Sequence, residues 1–189
     1  MNMAMSNVDA TQDMVIEGYA LIFNTLSEDL GGFKEIVDPE ALNATDMSDV
    51  KCLINHDDRY VIGRSQAGTL ELTIDSKGLK FKCYLPNTSY ARDIYENINI
   101  GNVNQCSYHS WFPKSNNGED FGFSWYVQNG EYIRKITQLD KLIDVSVVTT
   151  PAFKETDVLA VQRDAGLDKF KEKQKIQIAL ELESLRLDT

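Results

Sequence analysis

The amino-acid sequence predicts an α+β protein: a closed or nearly closed β-barrel decorated by short helices, with a C-terminal amphipathic helix. Three observations carry this expectation. Seven or eight short runs rich in β-branched and aromatic residues recur along the chain, and two pairs of them are joined by turn-forming residues. Helical periodicity appears only briefly between them, without strict βαβα alternation, which disfavours a doubly wound parallel sheet. Beyond Arg163 the composition shifts to Lys, Glu, Gln and Leu with apolar residues in an irregular helical pattern.

The elements follow in order. Residues 1–13 are small and polar and read as a flexible start. Val15 to Phe23 is a first strand, in which Gly18 marks a bulge or a crowded backbone position. After the break at Gly31-Gly32, Asp38-Pro39-Glu40 has the form of a helix start: aspartate caps free N–H groups and proline fills the first helical position, which predicts a short helix from Pro39 to Ala44. Val50 to Ile54 is strand and delivers His56 at its end.

Thr69 to Ile74 and Leu79 to Leu85 both alternate with period two around the turn residues Asp75-Ser-Lys-Gly78, the clearest hairpin in the chain. Thr88 then caps a helix over Ser89 to Asn99, with Tyr90, Ile94, Tyr95 and Ile98 at helical spacing and Gly101 as the stop. That helix leads into a strand carrying Ser107. A second hairpin, Phe121 to Gln128 and Glu131 to Ile136, turns at Asn129-Gly130, and Leu142 to Val148 is the last strand, closed by Pro151. One folded domain, 14–162, and a helical tail, 163–189, are the expected division.

With 189 residues and 42% hydrophobic residues the chain can fill one core. The formal charge of −10 would repel a phosphate backbone, so nucleic acid is not an expected partner. No stretch approaches the ~18 consecutive apolar residues of a membrane span, and the start has no apolar signal core, so a soluble intracellular protein is expected. Cys52, Cys83 and Cys106 are odd in number and scattered. They support neither a disulfide framework nor a zinc site and read as buried free thiols.

Three residues suggest chemistry. His56 is one of only two histidines and sits in Asn55-His-Asp57, where it can act as a base or simply bond to neighbouring carboxylates. Ser107 shares a strand face with Gln105 and His109. A strand serine by itself is usually structural, bonding to backbone. Asp144 interrupts the apolar run Leu142 to Val148 on the face expected to hold Leu142, Ser146 and Val148 as well. A carboxylate there must be paired, either with a histidine or with Arg134 or Lys135 of the neighbouring strand. Together the three suggest a serine nucleophile, its base and an orienting acid. His109 is a rival base, but a side chain two positions along the same strand stands about 7 Å away, so delivery across strands from His56 is easier. An α/β-hydrolase is disfavoured because no Gly-x-Ser-x-Gly elbow exists and no histidine follows the acid.

Four motifs, in this order, carry a resemblance: Gly18-Tyr-Ala-Leu-Ile-Phe-Asn24, Asn55-His-Asp57 followed by Ile62-Gly-Arg64, Cys106-Ser-Tyr108, and Asp144-Val-Ser-Val-Val-Thr-Thr-Pro-Ala152. From about Val15 to Val158 the chain resembles the prohead (capsid maturation) proteases of tailed bacteriophages. The resemblance implies a serine endopeptidase with a fold similar to the herpesvirus assemblin barrel, so that 14–162 would be the protease domain. It would cut scaffold or the scaffolding segment of the major capsid protein, and itself, inside the immature prohead in the host cytoplasm. Its partners would be those substrates, with self-association of the chain; no cofactor or metal is implied, and no nucleic acid or membrane.

By motif position Ser107 would be the nucleophile, His56 the general base and Asp144 the orienting acid. His109 and Arg134 would be accessory, Arg134 as a candidate for holding the oxyanion. Two departures stand out. Many members have glycine or alanine where His109 stands, and many have glutamate in place of Asp144, which is one methylene shorter. Within the same resemblance the alternative is a catalytically inactive capsid-associated protein that binds scaffold or shell.

Overall fold

The computed structural model of the chain describes residues 14–161; the flexible start and the C-terminal amphipathic helix expected from the sequence lie outside them. Among the described residues the strands, in chain order, are β1 (Val15–Ile22), β2 (Phe33–Val37), β3 (Lys51–Ile54), β4 (Asp57–Arg64), β5 (Leu70–Ile74) and β6 (Gly78–Tyr84). After α1 (Ser89–Asn99) come β7 (Gln105–Trp111), β8 (Phe123–Gln128), β9 (Glu131–Ile136), β10 (Lys141–Val148) and β11 (Asp157–Val161). None of the described helices is long and apolar enough to cross a membrane.

The expected closed barrel is not found. The strands form three sheets, β11-β1-β6-β5, β4-β3-β10-β7 and β2-β9-β8, each ending in open edges. The reason lies in pairings that alternation cannot encode: it says which face is buried but not which neighbour a strand takes. β2 pairs with β9, and β3 with β10, in parallel and between segments far apart in the chain. These crossovers interrupt what would otherwise be a continuous run of hairpins. One apolar core fills the space among the sheets, drawing Ile16, Leu21, Cys52, Ile62, Phe81, Cys83, Ile94, Cys106, Val145 and Phe153 from different sheets and from α1. All three cysteines are buried and free.

Local chemistry is followed closely where the sequence carried it. The β5–β6 hairpin runs in register from Leu70–Cys83 to Ile74–Leu79, and β8–β9 turns at Asn129 and Gly130, both with positive φ. Thr88 Oγ1 accepts from the Ala91 amide at the start of α1, and Gly101, with φ +82°, follows its end. The Asp38–Pro39 start is real but makes only a 3₁₀ turn, Pro39–Leu42, with Asp38 Oδ1 accepting from the Glu40 amide. The strands β2, β4 and β11 were not expected. The first two carry charges that dilute the period-two signal, and β11 is held through its pairing with β1.

Gly18 sits where β1 is flanked by β6 and β11, and an added Cβ would overlap the carbonyl oxygen of Asp157. Because the obstacle is backbone, it cannot rotate away. Gly18→Ala is therefore expected to destabilise the protein by about 1–3 kcal/mol. Urea unfolding checks this, and an unchanged midpoint would mean that β11 yields instead.

Candidate active site

The site is built on β10. Its parallel neighbour β3 runs beside it with Asp144 opposite Lys51 and Val147 opposite Ile54, and its antiparallel neighbour β7 places His109 opposite Asp144 and Ser107 opposite Ser146. A central strand thus has the histidine-bearing turn at one flank and the serine strand at the other.

β3 and β4 are joined by Asn55 and His56, both in the left-handed region with φ 52° and 57°. Two consecutive positive φ values are the signature of a tight hairpin turn that fits the strand twist, and asparagine and histidine tolerate them better than most residues. The turn is tied to the end of β10: the Asn55 amide donates to Val147 O at 2.9 Å, and Asn55 Oδ1 accepts from the Thr149 amide at 3.1 Å. His56 is thereby aimed back over β10, where its Nδ1 lies 2.7 Å from Asp144 Oδ1.

Asp144 is 2% exposed. Such a carboxylate needs donors to replace its lost hydration, and it has them. Besides His56, Ser146 Oγ donates to the same oxygen at 2.6 Å, while His109 Nδ1 stands 3.6 Å from Oδ2. The two imidazole rings lie 6.4 Å apart, nearly perpendicular, so the carboxylate sits between them. The pairing of Asp144 with Arg134 or Lys135, open from the sequence, does not occur. Arg134 is bound to Glu35 and Lys135 to Asp38. The shorter aspartate suffices because β3 is the immediate neighbour of β10.

Ser107 is 8% exposed and lines an open cleft of about 770 Å³ with Gln105, Thr150, Pro151, Ala152 and the segment Glu28 to Leu30. β7 is a sheet edge, and beside Ser107 its main chain is held by Thr156, whose Oγ1 donates to Cys106 O at 2.6 Å and accepts from the Cys106 amide at 3.2 Å.

Arg134 serves a second, smaller cavity of about 160 Å³, lined also by Glu35, Tyr108, His109 and Phe112. Its Nε donates to Glu35 Oε1 at 2.6 Å, and its guanidinium lies 5.0–5.6 Å from the ring centres of Phe33, Phe112, Phe123 and Trp125. Burial, assisted by the nearby Glu35 charge, pushes the Tyr108 phenol well above its ordinary range. The structure thus brings together His56, Asp144 and His109, puts Ser107 on the adjoining strand, and engages Arg134 with Glu35. Sequence reading assigned no role to Asn55, Ser146, Thr156 or Glu35. Of these only Ser146 had a signal, as the next residue along Asp144's own face.

The architecture is that of an assemblin-like protein. The KSHV protease, solved in complex with a hexapeptide phosphonate inhibitor, matches with a TM-score of 0.52 at 13% identity, over 92% of this chain and 77% of that one, which is a likeness of fold. No curated protein matches the sequence. The chain belongs to the caudovirus prohead serine proteases, whose family model matches residues 1–171. It is accordingly a serine peptidase of phage capsid maturation, with capsid-related protein as its substrate class.

The Glu35–Arg134 pair yields a prediction. Glu35 is 8% exposed, so removing the guanidinium leaves a buried carboxylate without its cation. Arg134→Ala is expected to cost roughly 3 kcal/mol in urea unfolding, and Glu35→Leu/Arg134→Leu is expected to recover part of that loss. A loss below about 0.5 kcal/mol for the single variant would show that water reaches the pair.

Proposed function

We propose that Ser107 is the nucleophile, His56 the general base and Asp144 the orienting acid of an endopeptidase that cuts scaffold or the scaffolding segment of the major capsid protein. The observation that carries this reading is the 2.7 Å bond from His56 Nδ1 to the buried Asp144, made on the strand that pairs directly with Ser107's. With Nδ1 committed, Nε2 is the ring nitrogen left to take a proton.

In this mechanism Ser107 Oγ attacks the scissile carbonyl as its proton passes to His56 Nε2, and the new C–O bond leaves charge on the carbonyl oxygen. The imidazolium returns the proton to the leaving nitrogen as the C–N bond breaks. Water, deprotonated by the same ring, then attacks the acyl ester, and the ring returns that proton to Ser107 Oγ as the ester C–O bond breaks and the acid product leaves. Asp144 fixes the tautomer and balances the imidazolium throughout. His109, at the other carboxylate oxygen, is accessory, and Arg134 holds the wall of the smaller cavity beside it.

We further propose that the enzyme acts within the immature prohead, cuts its own chain between the 14–162 domain and the tail, and is brought to scaffold by residues 163–189. The tail is charge-balanced, with six basic and six acidic residues, and has apolar residues in an irregular helical pattern, which suits docking onto a partner helix. Concentrating a slow protease on its substrate in this way raises its effective rate without new contacts at the active site.

Ser107→Ala is expected to fold normally and to abolish processing of capsid precursors, because the change removes one hydroxyl from a strand. Normal shell maturation with this variant would remove Ser107 from the mechanism. His56→Ala is expected to be comparably inactive and Asp144→Asn to lose on the order of 10³–10⁴ in kcat, while His109→Ala keeps substantial peptide cleavage. The reverse order of the two histidine variants would transfer the base role to His109. Truncation after Gln162 is expected to leave peptide cleavage intact but to exclude the protease from proheads, and normal incorporation of the truncated chain would rule out docking by the tail.

A further inference from the structure

The geometry points to Ser146 as a positioning residue that locks the base to its acid, a role that rests on the catalytic assignment of His56 and Asp144. Ser146 is fully buried on β10, opposite Ser107 on β7, and has no access to substrate. Its hydroxyl is nevertheless fully used. It accepts from the His56 backbone amide at 3.2 Å and donates to Asp144 Oδ1 at 2.6 Å, the oxygen that also accepts from His56 Nδ1.

These three bonds close a ring. One arm runs from the main chain of His56 through Ser146 to the carboxylate, the other from the His56 side chain to the same oxygen. The first arm fixes the backbone of a turn whose residues are both left-handed, and the second fixes the imidazole. The hydroxyl therefore joins the two Asn55 bonds to β10 in setting the distance between turn and acid, and it alone of the three also bonds the carboxylate that holds the ring. Its proton has a second effect. A hydrogen bond to an ionised carboxylate stabilises the anion and weakens it as an acceptor for the imidazole. Ser146 thus moderates how strongly Asp144 holds a protonated His56. Alanine fits the space but offers neither bond.

The other charged groups around the ring stay in place in this comparison: His109 faces Asp144 from β7, and Lys51, opposite Asp144 on β3, is held by Asp58 at 2.7 Å. A bulge between Leu142 and Asp144 turns Leu142 into the core with Val145 and Val147, and Val148, on Asp144's face of β10, offers no hydroxyl, so no side chain there can take over from Ser146.

The test is steady-state cleavage of a peptide spanning the junction that mass spectrometry identifies in a co-expressed capsid precursor, measured across pH for wild type, Ser146→Ala and Ser146→Cys. Ser146→Ala is expected to lower kcat about 10–100-fold with KM changed less than threefold, and to move the acid limb of kcat/KM to higher pH. The shift follows because the carboxylate, relieved of its hydroxyl donor, holds the protonated imidazole more strongly. Ser146→Cys, similar in size but a weaker donor, is expected to fall between the two, and it carries the test if the alanine variant fails to fold. A folded variant with unchanged kcat and an unmoved acid limb overturns the proposal. A fall in kcat with no movement of the limb in either variant also overturns it, since general loosening of the site would produce that alone. Ser107→Ala and Asp144→Asn are run alongside. If those retain activity, the catalytic assignment itself fails, whereas their inactivity with an indifferent Ser146 sinks only the positioning role.

Discussion

A single buried carboxyl group organises the candidate active site of this protein. Asp144 lies in an apolar strand at the centre of its sheet, where an unpaired carboxylate would cost several kcal/mol. The fold meets that cost with two hydrogen bonds, from a histidine on the turn after β3 and a hydroxyl on β10 itself, and places a second imidazole from β7 nearby at 3.6 Å. Each donor needs its strand in a particular register beside β10. The requirement to satisfy one carboxylate therefore constrains the strands on both sides of β10, including the one that carries Ser107.

The half-buried Glu35–Arg134 ion pair shows the same physics put to another use. Arg134 gives its Nε to Glu35 and covers its cationic face with four aromatic rings, so it has no need of Asp144. Separation of the two acids matters to the proposed chemistry. An arginine beside Asp144 would be permanently charged and would compete with His56 for the carboxylate. A histidine can lose and regain its charge, as the proposed base must. The smaller cavity, with Tyr108 and Glu35 in its wall, adjoins His109, so the two polar clusters meet at one imidazole.

Much of the local structure was legible in the sequence. Both hairpins and the Thr88-capped helix ending before Gly101 follow from chemistry spanning only a few residues, which acts in the folded chain much as it does in any short segment. The burial of Asp144 and its need for a partner were likewise readable from alternation along Leu142 to Val148, and the family from four motifs whose order lies in the chain itself.

What the tertiary structure decided is which distant segments meet. Period-two alternation reports a face but not a neighbour, so the parallel pairings β3–β10 and β2–β9 left no mark in the sequence pattern, and three open sheets replaced the expected barrel. The choice among His56, Arg134 and Lys135 as partner of Asp144 depended on those same pairings, because all three residue types could have satisfied a carboxylate. Ser146 and Thr156 acquired their roles only there. A hydroxyl bonds to whatever lies within about 3 Å, and only the packed strands determine what that is.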